Sequence, residues 1–248
     1  MEAKQLPRSM VLAKTVLLAN LSPYNPRRMQ TDRAVLFDLD GTLVDSEREN
    51  VESVVLAARR WKVELSADIR KFIIGHSWNE IYARIQSEYG LDVDMGVLIE
   101  AAVEEKRALF ANQGYQPLPG ALDLVRRLRG LAGLAVVSGS SRVEVHETIA
   151  GIGLTECFQY LLGAEDYSQG KPHPEGYQSA MRLLGVKPRA CIVIEDAEPG
   201  ILAGKAAQAQ VIAVRRANFM GYDQSAADII VDTLEEVSDD LLEKLWRS

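Results

Sequence analysis

The run Ala34-Val-Leu-Phe-Asp-Leu-Asp40, followed at once by Gly41, constrains this chain more than any other stretch. It is apolar at every position up to Phe37 rather than at alternate ones, so it reads as a short strand covered on both faces and ended by a Gly turn. Similar runs recur at 134–137, 191–194, 211–214 and 228–231. Helical patterns lie between them, with Leu122, Val125 and Leu128 in one and Tyr177, Met181 and Leu184 in another. Strands alternating with helices predict an α/β fold built on a doubly wound parallel sheet. In such a sheet the ligand sits outside the carboxyl ends of the strands.

Residues 46–116 break this rhythm and read as successive helices. Ser46-x-x-Glu49 is a capping-box signature, opening a helix with Val51, Val54, Val55 and Ala58 on one face. Ser77-x-x-Glu80 is a second, leading into Ile81 and Ile85 and stopping at Gly90. A third helix is expected over 95–113, ending at Gly114, after which Pro117, Pro119 and Gly120 mark the return to the sheet. The expected plan is therefore a core domain of residues 33–45 and 117–248 with an inserted helical domain at 46–116. The joints fall near Asp45 and Gln116. Residues 1–32 are expected to be a poorly ordered extension, with Met29 an alternative start. A weak secretory signal or an organelle transit peptide are the competing readings of that stretch, which holds few acids and several arginines.

Four groups of polar residues stand where the predicted strands end. Asp38 and Asp40 are two apart on an extended chain, so both side chains can face one site, and clustered carboxylates of this kind suit a hard cation such as Mg²⁺. Val136-Val137-Ser138-Gly139-Ser140-Ser141 offers a hydroxyl and consecutive backbone N–H groups at a strand-to-helix turn, a cradle for phosphate. Gly170-Lys171-Pro172-His173-Pro174 holds an ammonium in a stiff segment. Glu195 and Asp196 follow the apolar run 192–194 directly, an expensive placement unless they bind a cation or face a cleft. Each group alone also has a plain reading, as an Asp-Gly turn, a helix start, a surface lysine or a solvated acid pair. All four occur in order at one sheet edge, and that is what favours a site.

Composition narrows the partners. The net charge of −7 argues against a general nucleic-acid binder, since backbone affinity needs clustered Lys and Arg. No apolar run reaches the ~20 residues of a membrane span; the nearest, 10–21, is interrupted by Lys14. The two cysteines, Cys157 and Cys191, form no metal or redox motif, which fits a cytoplasmic setting. A monomer is the default expectation.

The motifs DLDGT at 38–42, VVSGS at 136–140, GKPHPE at 170–175 and IEDAEPG at 194–200 together resemble those of the haloacid dehalogenase superfamily. The resemblance is to the helical-cap branch that includes β-phosphoglucomutase-like phosphatases, and it covers about residues 33–235. It implies a Rossmann-like core with residues 46–116 as the cap, and a Mg²⁺-dependent phosphatase acting on a small phosphorylated metabolite such as a sugar phosphate. In that family Asp38 would be the nucleophile that forms an aspartyl-phosphate, and Asp40 the general acid and then base. Mg²⁺ would sit on the Asp38 carboxylate, the Asp40 carbonyl and the Asp196 carboxylate, with Glu195 as a further ligand or support. Ser138 and Lys171 would hold the transferring phosphoryl group, with Thr42 and Gly139 among the substrate contacts. The presence of Asp40 fits phosphoester hydrolysis better than dehalogenation or phosphonate cleavage. The cap loop 75–80 would read the leaving group through His76 and Trp78, while Arg70, Lys71 and Arg84 would be candidates for a second anionic group. A phosphomutase, or a non-catalytic regulator on the same scaffold, is the alternative. Trp78 and Asn50 stand where a mutase of this kind would carry Arg and His, which favours the phosphatase. Replacing Trp78 by Ala is expected to reorder a panel of phosphorylated substrates more than it lowers the rate on the best of them. An unchanged ranking would assign Trp78 to packing.

Overall fold

The computed structural model of this protein describes residues 31–73, 76, 78–215 and 221–247. Its centre is a six-stranded sheet made from β1 (Ala34–Phe37), β4 (Gly133–Val137), β5 (Tyr160–Leu162), β6 (Cys191–Glu195), β7 (Gln210–Val214) and β8 (Ile229–Val231). A separate pair joins β2 (Val44–Asp45) to β3 (Gln116–Pro117). The six strands are all parallel, in the order β5-β4-β1-β6-β7-β8. The chain works outward from β1 to β5 on one side and then from β6 to β8 on the other. The order therefore reverses between β1 and β6, which is the crevice where such sheets bind ligands.

Both faces of the sheet are buried, as the uninterrupted apolar runs require. Val35 and Phe37 of β1, with Ile192 and Ile194 of β6, enter one apolar cluster, while Ala34, Leu36, Cys191 and Val193 enter another. The helices α5 (Ala121–Leu128), α6 (Arg142–Gly151) and α9 (Asp239–Arg247) cover the first face. On the second lie α7 (Glu175–Leu184) and α8 (Glu198–Ala206).

Between β2 and β3 stand α1 (Glu47–Arg59), α2 (Ala67–Ile73), α3 (Trp78–Tyr89) and α4 (Met95–Gln113). They share an apolar cluster of their own, with Val54, Val55 and Ala58 of α1, Ile81 and Ile85 of α3, and Leu98 and Ala102 of α4. The strands on either side of this insertion pair antiparallel, Val44 with Pro117 and Asp45 with Gln116. Entry and exit thus meet at one narrow joint. None of the described helices is long and apolar enough to cross a membrane.

Three elements depart from the expectations. Helix α2 has no counterpart among them, because only Ile69 and Ile73 of its seven residues are buried, too brief a pattern to read as helix. Strand β5 has only three residues and is only partly buried at Tyr160 and Leu161. The capping box at Ser46 does not form: Ser46 is the N-cap residue of α1, but its hydroxyl makes no cap bond and is donated to the Asp40 carboxylate. The second expected box, with Ser77, and the extension over residues 1–30 lie outside the described residues. Leu36 is fully buried in the central strand, so Leu36→Ala is expected to cost about 2–5 kcal/mol of stability. Chemical denaturation of the purified protein measures that loss.

Candidate functional site

The register of the sheet brings the motifs together. Phe37 is paired with Val136 on one side and Ile194 on the other, so three strands end at one level. The next residues, Asp38, Ser138 and Glu195–Asp196, therefore emerge at the same edge. The Asp38 N–H is held by the Ile194 carbonyl at 3.0 Å, and that of Ser138 by the Leu162 carbonyl at 3.0 Å. The GKPHPE segment reaches the edge from the loop before α7, and there the Lys171 ammonium donates to both Asp38 Oδ1 and Glu195 Oε1, the latter at 2.6 Å.

Asp38, Glu195 and Asp196 offer three oxygens within 4.8 Å of one another, and all three residues are buried. Burial pushes the Asp38 carboxyl up to about 8, with Lys171 pulling it down and Glu195 pushing it further up. Asp196 is driven well above the usual carboxylate range by burial and by Glu195 and Asp38, against a hydrogen bond from Thr42. Lys171 is affected in the opposite sense: burial lowers it, but Asp38 and Glu195 more than offset that and keep it protonated. Three buried carboxylates thus face one ammonium. A divalent cation would remove the excess negative charge, and hard carboxylate oxygens are the donor set that Mg²⁺ takes, so these residues fit it.

The carboxylates are positioned by close packing. Gly41, at φ +81°, lies under Asp196, and a Cβ there would come within 2.5 Å of its Oδ2. Gly200 in the first turn of α8 lies against Glu195, where a Cβ would fall 1.6 Å from Oε1. Glu195 also accepts from the Tyr177 hydroxyl at 3.0 Å and from the Asp196 and Ala197 N–H groups at 3.0 and 3.2 Å. All its oxygens are therefore in use, one of them on Lys171.

Asp40 points to the other side. Its carboxylate lies outside the acidic cluster and accepts from Ser46 and, at 2.7 Å, from the Ser140 hydroxyl, with Ser138 Oγ at 3.4 Å. Lys106 of α4 stands 3.7 Å from Asp40 and 3.5 Å from Glu144 of α6. Burial acts to raise the Asp40 carboxyl, but Lys106, Ser46 and Ser140 outweigh it and hold the group below its ordinary value.

A cavity of about 550 Å³ opens beside Asp40, between the inserted helices and the loop after β4. His76, Trp78 and Gly139, expected at the substrate, line it, as does Asn50. His76 also stacks on Phe72, with ring centroids 3.7 Å apart. Gly75 and Ser77 of the same expected loop lie outside the described residues. Thr42 is fully buried and donates to Asp196 Oδ1 at 3.0 Å, because the tight turn around Gly41 folds it under the acidic cluster. Arg70, Lys71 and Arg84 are not among the lining residues. Arg70 pairs with Glu52 at 3.1 Å, and Arg84 pairs with Glu88 at 2.8 Å and lies over the Phe72 ring.

Sequence reasoning missed Lys106, Ser140, Ser46 and Tyr177. Lys106 sits in Glu104-Glu105-Lys106-Arg107, which reads as a solvated helix face. Ser140 lies within the 136–141 motif, but nothing local assigns its hydroxyl to Asp40. The spacing of Ser46 to Glu49 signals a cap, and the periodicity around Tyr177 signals apolar core, which it also is.

A family model described as haloacid dehalogenase-like hydrolase matches residues 33–208. Hexitol phosphatase A of Escherichia coli is 31% identical over 212 residues, covering 83% of this chain and 93% of that protein. The bifunctional riboflavin kinase/FMN phosphatase of Arabidopsis thaliana is 33% identical over 210 residues, which are 82% of this chain; the chain spans about half (54%) of that protein's length. Among solved structures, CbbY from Rhodobacter sphaeroides in complex with phosphate superposes with a TM-score of 0.75 at 23% identity, covering 86% of this chain and 100% of that one. At that identity it establishes likeness of fold.

The raised Asp38 carboxyl sets a pH test. Its folded value, about 8, lies above the ordinary 3.8, so the metal-free fold binds this proton more tightly than the unfolded chain does. Its contribution to stability is present at low pH and is lost as pH rises toward 8. Mg²⁺ competes with that proton, so it is expected to raise the thermal midpoint more at pH 8 than at pH 5.5. At a hundred times its Kd the gain is about 2.7 kcal/mol, or several degrees. An equal or smaller shift at pH 8 would separate the cation from Asp38.

Proposed function

The chain belongs to the haloacid dehalogenase-like hydrolase family, and on that premise we propose that it is a Mg²⁺-dependent phosphatase of a small phosphorylated metabolite, acting through an aspartyl-phosphate on Asp38. The observation that carries this reading is the buried Asp38 at the switch point of the sheet, in contact with Lys171 and clustered with Glu195 and Asp196. The metabolite is taken to be a sugar phosphate or similar compound, in keeping with the hexitol phosphatase relative. Residues 33–45 and 117–248 are taken as the core and 46–116 as a cap. The β2–β3 joint and the separate apolar cluster of α1–α4 support that division.

Asp38 has one oxygen on Lys171, which leaves the other for attack on phosphorus, and the bond to the leaving oxygen breaks as the new one forms. Lys171 and Ser138 flank the position of the transferring group and supply charge and a hydrogen bond to its oxygens. Mg²⁺ held by Asp38, Asp196 and the Asp40 carbonyl would neutralise charge on the phosphoryl oxygens. Glu195 positions Lys171.

Asp40 is the proton carrier. In the free site Lys106, Ser46 and Ser140 keep it ionised; the doubly negative phosphate arriving beside it raises its pKa, and it takes up a proton from solvent as the substrate binds. It then gives the proton to the leaving oxygen. Once ionised again, it accepts one from the water that hydrolyses the aspartyl-phosphate and frees Asp38. The inserted helices, with Trp78 and His76 on the cavity, keep bulk water from competing at the first step.

Phosphate release from a panel of phosphorylated sugars, with Mg²⁺ and with EDTA, tests the proposal beside Asp38→Asn. Release is expected with Mg²⁺, to be lost with EDTA, and to fall by at least about 10³-fold in the variant while its fold is kept. Turnover by a correctly folded Asp38→Asn protein would remove Asp38 as the nucleophile.

A further inference from the structure

We propose that the cavity beside Asp40 selects monophosphates whose leaving group carries no second negative charge, a neutral polyol alone or joined to an apolar or aromatic part. The inference rests on the phosphatase reading, since the phosphate is taken to lie against Asp38 with its leaving oxygen toward Asp40.

Charge at the cavity is the first reason. Lys106 is the single lysine or arginine among its described lining residues, and it is shared between Asp40 at 3.7 Å and Glu144 at 3.5 Å. Glu144 is fixed from below by the Ser141 N–H at 3.0 Å and its hydroxyl at 2.6 Å. Glu165, also on the wall, accepts from the Arg142 N–H at 2.7 Å. Both carboxylates are thus held by neighbouring N–H groups, and Glu144 by the Ser141 hydroxyl and Lys106 as well. A second phosphate or a carboxylate on the leaving group would meet two fixed acids and an ammonium already occupied. The arginines that might have met it, Arg70 and Arg84, are paired elsewhere on the inserted helices.

The walls give the second reason. On the helical side Val51, Ile73, Trp78, Ile81, Ile99 and Val103 make most of the wall, broken by Asn50, Ser53 and His76, whereas the opposite side presents Ser140, Ser141 and the two glutamates. A leaving group with hydroxyls along one edge and an apolar or planar face along the other matches both. The cavity, at about 550 Å³, has far more room than a three-carbon leaving group fills.

Matched pairs test the selection: glucitol 6-phosphate against 6-phosphogluconate, which differ only in a terminal carboxylate, and glucose 6-phosphate against glucose 1,6-bisphosphate. The neutral member is expected to have at least a tenfold higher kcat/KM, mostly through KM, and Glu165→Gln is expected to narrow the gap. The same pairs are titrated calorimetrically into Asp38→Asn protein with Mg²⁺, where the neutral member is expected to bind at least tenfold more tightly. Equal or reversed rankings in turnover and binding, or no binding of any of the four compounds, would overturn the selection. Absence of phosphate release from every compound, with the binding ranking as expected, would overturn the phosphatase reading and leave the selection standing.

Discussion

Three carboxylates buried against one ammonium are the constraint around which the rest of this protein is arranged. Asp38, Glu195 and Asp196 come within reach of one another only because β1 and β6 are neighbours and end in register. Each would be cheaper in water. Keeping them buried takes Lys171, the two backbone N–H groups on Glu195, the Thr42 hydroxyl on Asp196, and glycines at 41 and 200 where a side chain would collide. Buried charge without full compensation marks a site built for a charged visitor, as the proposed cation and phosphate would be, rather than one built for stability.

The second acid of the first motif answers to a different part of the molecule. Asp40 lies two residues from Asp38, yet its partners are Ser46 at the entry to the inserted helices, Ser140 after β4, and Lys106 from α4. Each region that must come together over a substrate therefore touches Asp40. The inserted helices do more than line the cavity, because Lys106 is among the groups that hold the Asp40 carboxyl below its ordinary value.

The core of the site was legible from local patterns. The apolar runs marked the strands, since a strand covered on both faces cannot be polar on alternate residues, and the motifs at their ends marked Asp38, Ser138, Lys171, Glu195 and Asp196. Elements with weak periodicity were not legible, as α2 and β5 show, because a few buried positions do not make a pattern. Ser46 shows a different limit. Its spacing to Glu49 signals a cap, but a hydroxyl makes the best bond available to it, and the nearby carboxylate of Asp40 wins. Nor does the motif say that the Thr42 hydroxyl turns under the cluster to Asp196.

The sequence by itself determined that there would be a parallel α/β sheet, that a helical segment would interrupt it after the first strand, and that acids, hydroxyls and a lysine would gather at one edge. These follow from periodicity and from chain order, which are local. Only the tertiary structure decided which acid meets which partner: that Glu195 is occupied by Lys171, that Asp40 pairs with Ser46, Ser140 and Lys106, and that Lys106 rather than Arg70 or Arg84 reaches the cavity. The reason is physical. Hydrogen bonds and ion pairs are chosen by distance and burial among residues far apart in sequence, as between Thr42 and Asp196, 154 positions apart, and no spacing along the chain encodes that choice.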